Sequence, residues 1–315
     1  MGFALNLALS LHTKDAHLRI RFFCDNLHLF QKFFQSSTPD WIEYISLETW
    51  EQETCVAPSE LIFSFFDYQI PKEYLFQFPY QKTIVVFSYF LLHKGLESLH
   101  NTTYVLESGY DRVIHIVPSL LPGWGGIIIN PEIERQRYWI KKIQKHEKWI
   151  SVFVYADTLK HIVPLIQKDA SGTIFWIFDT GEWLQETPNC RICPFMTLEE
   201  FGVFQSLCDA NIVRWENSLC QGLISGKPVL WDIYKEENSA HVDKIEDYLR
   251  FLSHELPDTD WSKYARMMRD FNTHDTGWRA FVDFISGYYQ YDNAFRVVSE
   301  YIKKECDLLE KLEII

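Results

Sequence analysis

The sequence lacks long apolar runs and clusters of basic residues. No stretch approaches the roughly eighteen consecutive apolar residues of a membrane-spanning helix. The opening, MGFALNLALSLHTKDAH, has neither the basic region nor the small-residue cleavage site of a signal peptide. The formal net charge of −13 argues against broad contact with nucleic-acid phosphates, although a single arginine in a pocket remains compatible with a small phosphate-bearing ligand. We therefore predict a cytoplasmic protein that binds neither nucleic acid nor membranes.

Cysteine pairs and common nucleotide-binding motifs are also scarce. The seven cysteines are an odd number without a disulfide framework. Cys190 and Cys193 form one CxxC pair with no second pair to complete a metal site, so we interpret both as apolar core residues. The sequence has no G-x-G-x-x-G and no P-loop, which removes the commonest dinucleotide and kinase motifs. No Asp-x-Asp element stands out to argue for a divalent cation, and we expect neither a metal nor a cofactor.

Along the sequence, short apolar runs alternate with stretches in which hydrophobic residues recur every three to four positions, as on one face of a helix. Hydrophobic residues make up 47% of the 315 residues, enough to fill two cores at roughly 150 residues per domain. The alternation indicates an α/β protein with parallel sheets covered on both faces. We expect strands at residues 18–24, 61–66, 83–88, 112–117, 149–155, 173–178, 191–195, 211–213 and 229–234. We expect helices at residues 27–34, 131–145, 158–168, 198–208, 218–225, 240–254, 260–271, 277–288 and 294–312.

This pattern predicts two Rossmann-like domains that face each other across a cleft, followed by a helical C-terminal end. We place the first domain at residues 1–145 and the second at residues 146–315. The helix at 131–145 is expected to bridge them. In such sheets, ligands bind beyond the carboxyl ends of the strands.

One segment, NIVRWENSLCQGLISGKPVLWDIY at residues 211–234, concentrates polar side chains where a buried strand meets a short helix. A strand ending at Val213 and a helix starting near Ser218 leave free backbone N–H groups and a positive dipole end. Asn217 or Ser218 can cap this helix, and either can donate a hydrogen bond to a phosphate oxygen.

Two charged residues in the same turn extend this interpretation. Arg214 adds a cation whose forked geometry suits a pyrophosphate. Glu216 would repel a phosphate, so we expect it to accept hydrogen bonds from sugar hydroxyls instead. The alternative is a capped helix with Arg214 and Glu216 as a surface ion pair worth well under about 1 kcal/mol, and the turn alone slightly favours it.

Three aromatic residues favour a ligand site over the surface ion pair. Phe153 and Tyr155 end the strand at 149–155, and Phe201 lies on the helix that precedes the polar turn. A pair of rings beside a phosphate site can sandwich a nucleobase, at roughly 1–3 kcal/mol per stacked base. Each ring alone is more typical of a core, but their convergence with Arg214 describes a nucleotide-sugar site. The arginine and the helix dipole would stabilise a departing diphosphate without a metal.

The sequence resembles the protein-arginine rhamnosyltransferases that modify elongation factor P in bacteria. RWENSLCQGLISGKPVLWDIY is similar to the family's Arg-Gly-Glu-Asp-Ser, helix and Gly-Lys-Pro-Phe-Val-Trp-x-Ile-Tyr, and the preceding CDANIV is similar to its Cys-Asp-x-Asn-Phe-Val. Phe153 and Tyr155 match the family's Phe-x-Tyr, and Phe201 matches the aromatic residue before the motif. The resemblance extends at lower density from about residue 2 to the end.

The resemblance implies a GT-B fold and transfer of L-rhamnose from TDP-β-L-rhamnose to an arginine of elongation factor P, with inversion. It makes residues 1–145 the acceptor side and residues 146–315 the donor domain. The implied roles are thymine binding for Phe153 and Phe201, diphosphate binding for Tyr155, Arg214, Asn217 and Ser218, and catalysis at the sugar for Glu216.

The chain departs from the family pattern in the motif, in the Pro-Gly stretch and at the N-terminal end. Asn217 stands where the family has Asp, Trp215 stands where it has Gly, and the Pro-Gly stretch LPGWGG is shortened. The family's first strand and the loop bearing its aspartate base would lie before Met1, and we expect the upstream reading frame to encode them. Two alternatives stay open: a catalytically impaired nucleotide-sugar-binding protein of the same fold, and a GT-B enzyme with a small-molecule acceptor.

Overall fold

The computed structural model describes residues 1–34, 38–48, 59–66, 68–76, 81–92, 98–106, 111–140, 147–178, 184–235, 240–257, 259–273 and 277–312. The chain forms two compact units, one made of Met1–Asn130 with Cys306–Ile315 and the other of Pro131–Glu305. Within the described ranges, every helix is too short or too polar to cross a bilayer.

In the described residues, the Met1–Asn130 part of the first unit contains three helices and two sheets. A parallel pair joins β1 to β2, and a four-stranded sheet has the order β3-β4-β6-β5, parallel except for β5. The helices are α1 (Gly2–Lys14), α2 (Leu27–Phe34) and α3 (Lys72–Phe76). The strands are β1 (Ile20–Cys24), β2 (Ile42–Ser46), β3 (Leu61–Phe65), β4 (Thr83–Phe87), β5 (Thr103–Val105) and β6 (Arg112–Ile116). The sequence pattern did not predict β2 and β5.

Alternate residues of β4 build cores on opposite faces of the four-stranded sheet. Val85 and Phe87 pack with Leu7 and Leu11 of α1, whereas Ile84 packs in a cluster on the other face. This follows from the period of two along a strand, which sends successive side chains to opposite faces. Both faces of the sheet are therefore covered, as predicted.

The second unit contains a five-stranded, fully parallel sheet flanked by helices. Its strands are β7 (Lys148–Val152), β8 (Thr173–Ile177), β9 (Cys190–Ile192), β10 (Ala210–Arg214) and β11 (Val229–Asp232). Its first helices are α4 (Pro131–Ile140), α5 (Ala156–Lys168), α6 (Leu198–Leu207) and α7 (Glu216–Ser225). Most of the inward side chains are aliphatic or aromatic and fully buried, which explains why the strands appear as continuous apolar runs in the sequence.

The strand order, β11-β10-β7-β8-β9, determines where a ligand can bind. The chain enters at β7, moves outward to β9, and crosses back to β10 and β11 on the other side. The carboxyl ends of β7 and β10 therefore flank a topological switch point, the position at which open α/β sheets bind ligands. Of the predicted site residues, Phe153 and Tyr155 follow β7, Arg214 ends β10, and Glu216, Asn217 and Ser218 follow β10, whereas Phe201 lies on α6.

The chain ends in helices, as predicted, and one predicted helix is broken. These are α8 (Ala240–Glu255), α9 (Ser262–Phe271), α10 (Gly277–Gly287), a 3-10 turn (Tyr288–Tyr291), α11 (Asp292–Glu305) and α12 (Leu308–Lys311). The helix predicted at 294–312 stops at Glu305 because Cys306 leaves the helix and its carbonyl accepts a 2.7 Å hydrogen bond from the N–H of Ile127. The side chain of Asp307 then caps α12 at Leu309 N.

The domain boundaries differ from the prediction in two ways. Helix α4 belongs to the second unit, so that unit begins at Pro131 instead of residue 146. The part of the predicted bridging helix at 141–145 lies outside the described residues. Residues 306–312 return to the first unit, where Leu308 packs in the cluster of α1 and β4. The α/β, GT-B-like class with a helical C-terminal end is confirmed, and the cleft between the domains stays a prediction.

Candidate functional site

A connection of one residue joins the strand and the helix of the polar motif. Strand β10 includes Arg214 and helix α7 begins at Glu216, so the strand is longer and the helix starts earlier than predicted. Trp215 occupies the N-cap position, and no side chain caps the helix. The predicted capping by Asn217 or Ser218 is therefore wrong, because both residues lie inside the first helical turn.

This geometry still presents backbone donors at the switch point. The first hydrogen bond within α7 runs from Leu219 N to Trp215 O at 3.1 Å, so the N–H groups of Glu216, Asn217 and Ser218 precede the helical ladder. Asn217 is half-buried, whereas Ser218 is only 5% exposed. The positive end of the helix dipole therefore points to the carboxyl ends of β7 and β10, where it favours an anion.

Arg214 lies at the centre of the site. Its Nη1 donates a 3.2 Å hydrogen bond to the carbonyl of Val154, just after β7. Its Cζ lies 4.3 Å from the ring centroid of Phe153, 4.4 Å from that of Trp215 and 5.4 Å from that of Tyr155. Cation–π attraction and the carbonyl contact hold the guanidinium at the sheet edge. The structure thus brings together three of the predicted residues, Arg214, Phe153 and Tyr155.

Tyr155 contributes a hydroxyl group to the same edge. The hydroxyl is buried and has no hydrogen-bond partner among the described residues. Burial raises the pKa of the Tyr155 phenol, and the nearby carboxylates Glu216 and Asp232 raise it further. The group is therefore a neutral hydrogen-bond donor at physiological pH, suited to an anionic ligand.

Phe153 and Phe201 meet, but not as a parallel pair. Their ring centroids are 5.6 Å apart at an interplanar angle of 68°. A base inserted between two parallel rings needs about 7 Å, twice the contact distance between carbon atoms. The observed edge-to-face contact therefore fits a base that stacks on one ring face, and it does not fit the predicted sandwich.

Glu216 pairs with a residue that the sequence analysis did not single out. Its Oε1 lies 3.4 Å from Nζ of Lys244 on α8, and each side chain is about one-third exposed. Arg214 contacts the β7 edge through the carbonyl of Val154, and the predicted alternative, an ion pair between Arg214 and Glu216, stays a prediction. Nothing in the local sequence links residue 244 to the motif, since the pair forms only when α8 packs beside α7.

Asp232 is a second residue that sequence reasoning missed. It follows Trp231 at the end of β11, pairs in register with Arg214, and is 1% exposed. Its carboxylate accepts hydrogen bonds from Tyr155 N at 2.7 Å and from Thr158 Oγ1 at 3.0 Å. Burial raises the pKa of Asp232 to about 6, against the lowering effect of these hydrogen bonds and of Lys235 and Arg214. The position of an aspartate at the end of a third parallel strand was the available signal.

A buried arginine braces the helices that carry the site. Arg137 of α4 is 2% exposed, and it donates to the carbonyls of Gly202 on α6 and Gln221 on α7. Glu134 pairs with it at 2.6 Å. Burial lowers the pKa of Arg137, and Glu134 counteracts this effect. The contacts fix α6, with Phe201, relative to α7, with Glu216.

The structure tests the prediction that Cys190 and Cys193 are core residues, but it does not test the prediction that the protein needs no metal. Cys190 and Cys193 are buried, and burial raises the pKa of the Cys193 thiol to about 12, so the prediction of core cysteines is confirmed. The part of the chain that the structure describes contains no group of three or more His, Cys, Asp or Glu side chains placed to hold a metal ion. Metal independence itself stays a prediction.

The α/β fold and the family match identify the chain as a glycosyltransferase. Residues 138–314, more than half of the chain, match the family model described as Elongation-Factor P (EF-P) rhamnosyltransferase EarP, and the chain belongs to this family. The predicted family resemblance is therefore confirmed.

Individual relatives are similar at lower identity. The protein-arginine rhamnosyltransferase of Shewanella oneidensis is 23% identical over 321 residues, covering 84% of this chain and 80% of that protein. That of Pseudomonas aeruginosa is 34% identical over 67 residues, covering 21% of this chain and 18% of that protein. A solved structure that describes EarP-mediated arginine glycosylation of translation elongation factor EF-P has a TM-score of 0.49 and 17% identity, covering 62% of this chain and 73% of that one.

Proposed function

We propose that this protein transfers L-rhamnose from TDP-β-L-rhamnose to an arginine side chain of elongation factor P, with inversion at the anomeric carbon. The family supports rhamnose transfer to arginine as the reaction type. The observation that carries the donor proposal is the Arg214 guanidinium, held at the switch point beside the uncapped start of α7. A translation factor as acceptor also places the reaction in the cytoplasm.

The site favours departure of a nucleoside diphosphate. As the bond between C1 of the sugar and the phosphate oxygen breaks, negative charge accumulates on TDP. Arg214, the α7 N–H groups and the Tyr155 hydroxyl are then donors already aimed at that charge, and preorganised donors stabilise a transition state without reorganisation. The proposed diphosphate ligands are Tyr155, Arg214, Asn217 and Ser218, and no metal takes part.

The base and the sugar occupy opposite sides of Arg214 in this proposal. Phe153 and Phe201 contact the thymine on the β7 and α6 side. Glu216, whose side chain is 34% exposed, accepts hydrogen bonds from the rhamnose hydroxyls. An acceptor guanidinium nitrogen forms the new bond to C1 on the face opposite TDP, and that nitrogen loses a proton, which requires a carboxylate base because free arginine stays protonated.

Intact-mass analysis of elongation factor P tests the proposal directly. Incubation with the protein and TDP-β-L-rhamnose in the presence of EDTA should add one deoxyhexosyl mass to the factor, and replacement of the acceptor arginine should abolish it. TDP binding without any mass increment supports the alternative of a nucleotide-sugar-binding protein. Turnover of the donor with a small-molecule acceptor, but not with elongation factor P, contradicts the proposed acceptor.

A further inference from the structure

The backbone at Trp215 is unusual. Its φ is 57° and its ψ is 154°, which lies beside a region of conformational space that is almost reserved for glycine. A bulky side chain is costly there because its Cβ crowds the neighbouring peptide groups. The short connection between β10 and α7 imposes this conformation, so glycine is the residue that the backbone alone would favour.

Core packing does not account for the tryptophan. Its side chain is 50% exposed, which forfeits much of the free energy that a buried indole provides. Its ring contacts instead point into the candidate site. The indole lies edge to face with Phe153, at 6.0 Å and 88°, and with Tyr155, at 6.2 Å and 80°.

The indole and the Phe153 ring both contact the Arg214 guanidinium, at 4.4 and 4.3 Å from Cζ to the two ring centroids, and their planes are nearly perpendicular. A weakly hydrated guanidinium in the corner between two perpendicular rings keeps its fork in one orientation, and cation–π attraction strengthens as water is excluded. A fixed orientation matters because a diphosphate is recognised by two parallel N–H groups instead of by charge alone.

We propose that Trp215 is a positioning residue for donor binding, which holds the Arg214 guanidinium against Phe153 in the orientation that binds the diphosphate. The strained backbone at Trp215 is the cost of placing the indole beside the cation. This inference rests on the proposed binding of TDP-rhamnose at Arg214.

The substitution Trp215→Gly separates a positioning role from a structural one. Glycine relieves the backbone, so the melting temperature should stay the same or rise. TDP affinity measured by calorimetry should fall about tenfold, the fold-change of a cation–π contact of intermediate strength. TMP affinity should fall less, because TMP lacks the second phosphate. Trp215→Phe should restore part of the TDP affinity, since it keeps a ring face.

A double-mutant cycle tests whether Trp215 acts through Arg214. In an Arg214→Ala background, Trp215→Gly should cause no further loss of TDP affinity, because the group that it positions is gone. Tyr289→Ala is a control: Tyr289 is 61% exposed and follows Tyr288, which lies near Asp209 at the amino end of β10, opposite Arg214, so TDP affinity should not change.

Three results would overturn the inference: parent-like TDP affinity of Trp215→Gly, equal losses for TDP and TMP, or a full additional loss in the Arg214→Ala background. If the parent protein itself does not bind TDP, the proposed function fails. If the parent binds TDP and Trp215→Gly binds it equally well, only the role of Trp215 fails.

Discussion

Asp232 accepts a 2.7 Å hydrogen bond from the backbone N–H of Tyr155, which ties the end of β11 to the start of α5. The two residues are 77 positions apart in the sequence, and the contact crosses the edge where we propose that TDP binds. Thr158 adds a second hydrogen bond to the same carboxylate. Asp232 therefore orients the Tyr155 segment without itself being exposed to a ligand.

The burial of Asp232 makes stability depend on pH. Because its pKa rises from 3.8 to about 6 in the folded chain, the folded state holds the proton more tightly than the unfolded state. Its contribution to the free energy of unfolding is fully present below about pH 4 and is lost as pH rises to about 6, by about 3 kcal/mol in total. Asp232→Asn removes this titration.

Thermal unfolding of the parent and Asp232→Asn between about pH 4 and about pH 6.5 checks this prediction. The stability of the parent relative to the variant should decrease as pH rises, and other titrating groups cancel in the comparison. A difference that stays constant across this range would show that Asp232 titrates near its ordinary pKa.

Removal of the Arg214 guanidinium should weaken donor binding. Arg214→Ala is expected to reduce TDP affinity about 10- to 100-fold, because a hydrogen bond to a charged group is worth roughly 1.5–3 kcal/mol. Arg214→Lys should recover little of it, since lysine lacks the fork. Arg269→Ala is the control, because Arg269 pairs with Glu246 on the surface of the helical region. Parent-like affinity in Arg214→Ala would refute the diphosphate assignment.

The Tyr155 hydroxyl should matter for binding and not for folding. Tyr155→Phe removes a buried group that has no hydrogen-bond partner among the described residues, so stability should be unchanged or higher. TDP affinity should fall about 3- to 10-fold, the effect of one neutral hydrogen bond.

Tyr248 is a control for Tyr155, because its hydroxyl has a hydrogen-bond partner in the core. The hydroxyl of Tyr248 is hydrogen-bonded to that of Tyr264 at 3.1 Å in the core, so Tyr248→Phe should lower the melting temperature and leave TDP affinity intact. The same response of both variants would contradict a ligand-binding role for Tyr155.

Glu216 should be needed for transfer and dispensable for TDP binding. Glu216→Gln keeps the shape of the side chain and removes its charge, and we expect the rate of rhamnose transfer to fall by about 100-fold or more, as for other lost electrostatic contacts to a reacting group. TDP alone lacks the sugar, so its affinity should not decrease. Single-turnover transfer and calorimetry with TDP measure the two quantities separately.

Lys244→Met is the matched control for that variant. It breaks the same ion pair and retains the Glu216 carboxylate, and a partly exposed pair contributes at most about 1 kcal/mol to stability. Transfer by Lys244→Met should therefore exceed transfer by Glu216→Gln. Equal losses of transfer rate in the two variants would mean that the ion pair between Glu216 and Lys244 is needed for transfer, and would contradict a direct contact between Glu216 and the sugar.

The second unit was predictable because short stretches of its sequence determine both the strands and the position of the motif residues. Buried parallel strands appear as continuous apolar runs, and the motif residues follow one strand directly, so their common sheet edge was implied by the sequence. Asp232 and Lys244 were missed for the opposite reason. Their partners lie far away in the chain, and only the register of β11 and the packing of α8 bring them together.

The first unit was less predictable. All three residues of β5 are exposed and β2 contains a charged residue, so neither strand shows an apolar run. The end of α11 at Glu305 could not be predicted from the sequence either, because residues 303–309 include no glycine or proline. A tertiary contact, Cys306 O with Ile127 N, ends the helix.

The return of residues 306–312 to the first unit has a consequence for biosynthesis. Leu308, Leu309 and Leu312 complete the cluster that α1 and β4 begin. These leucines are synthesised only after residues 131–305. The second unit can thus reach its native state during translation, whereas the core of the first unit is completed only after residues 308–312 have been synthesised.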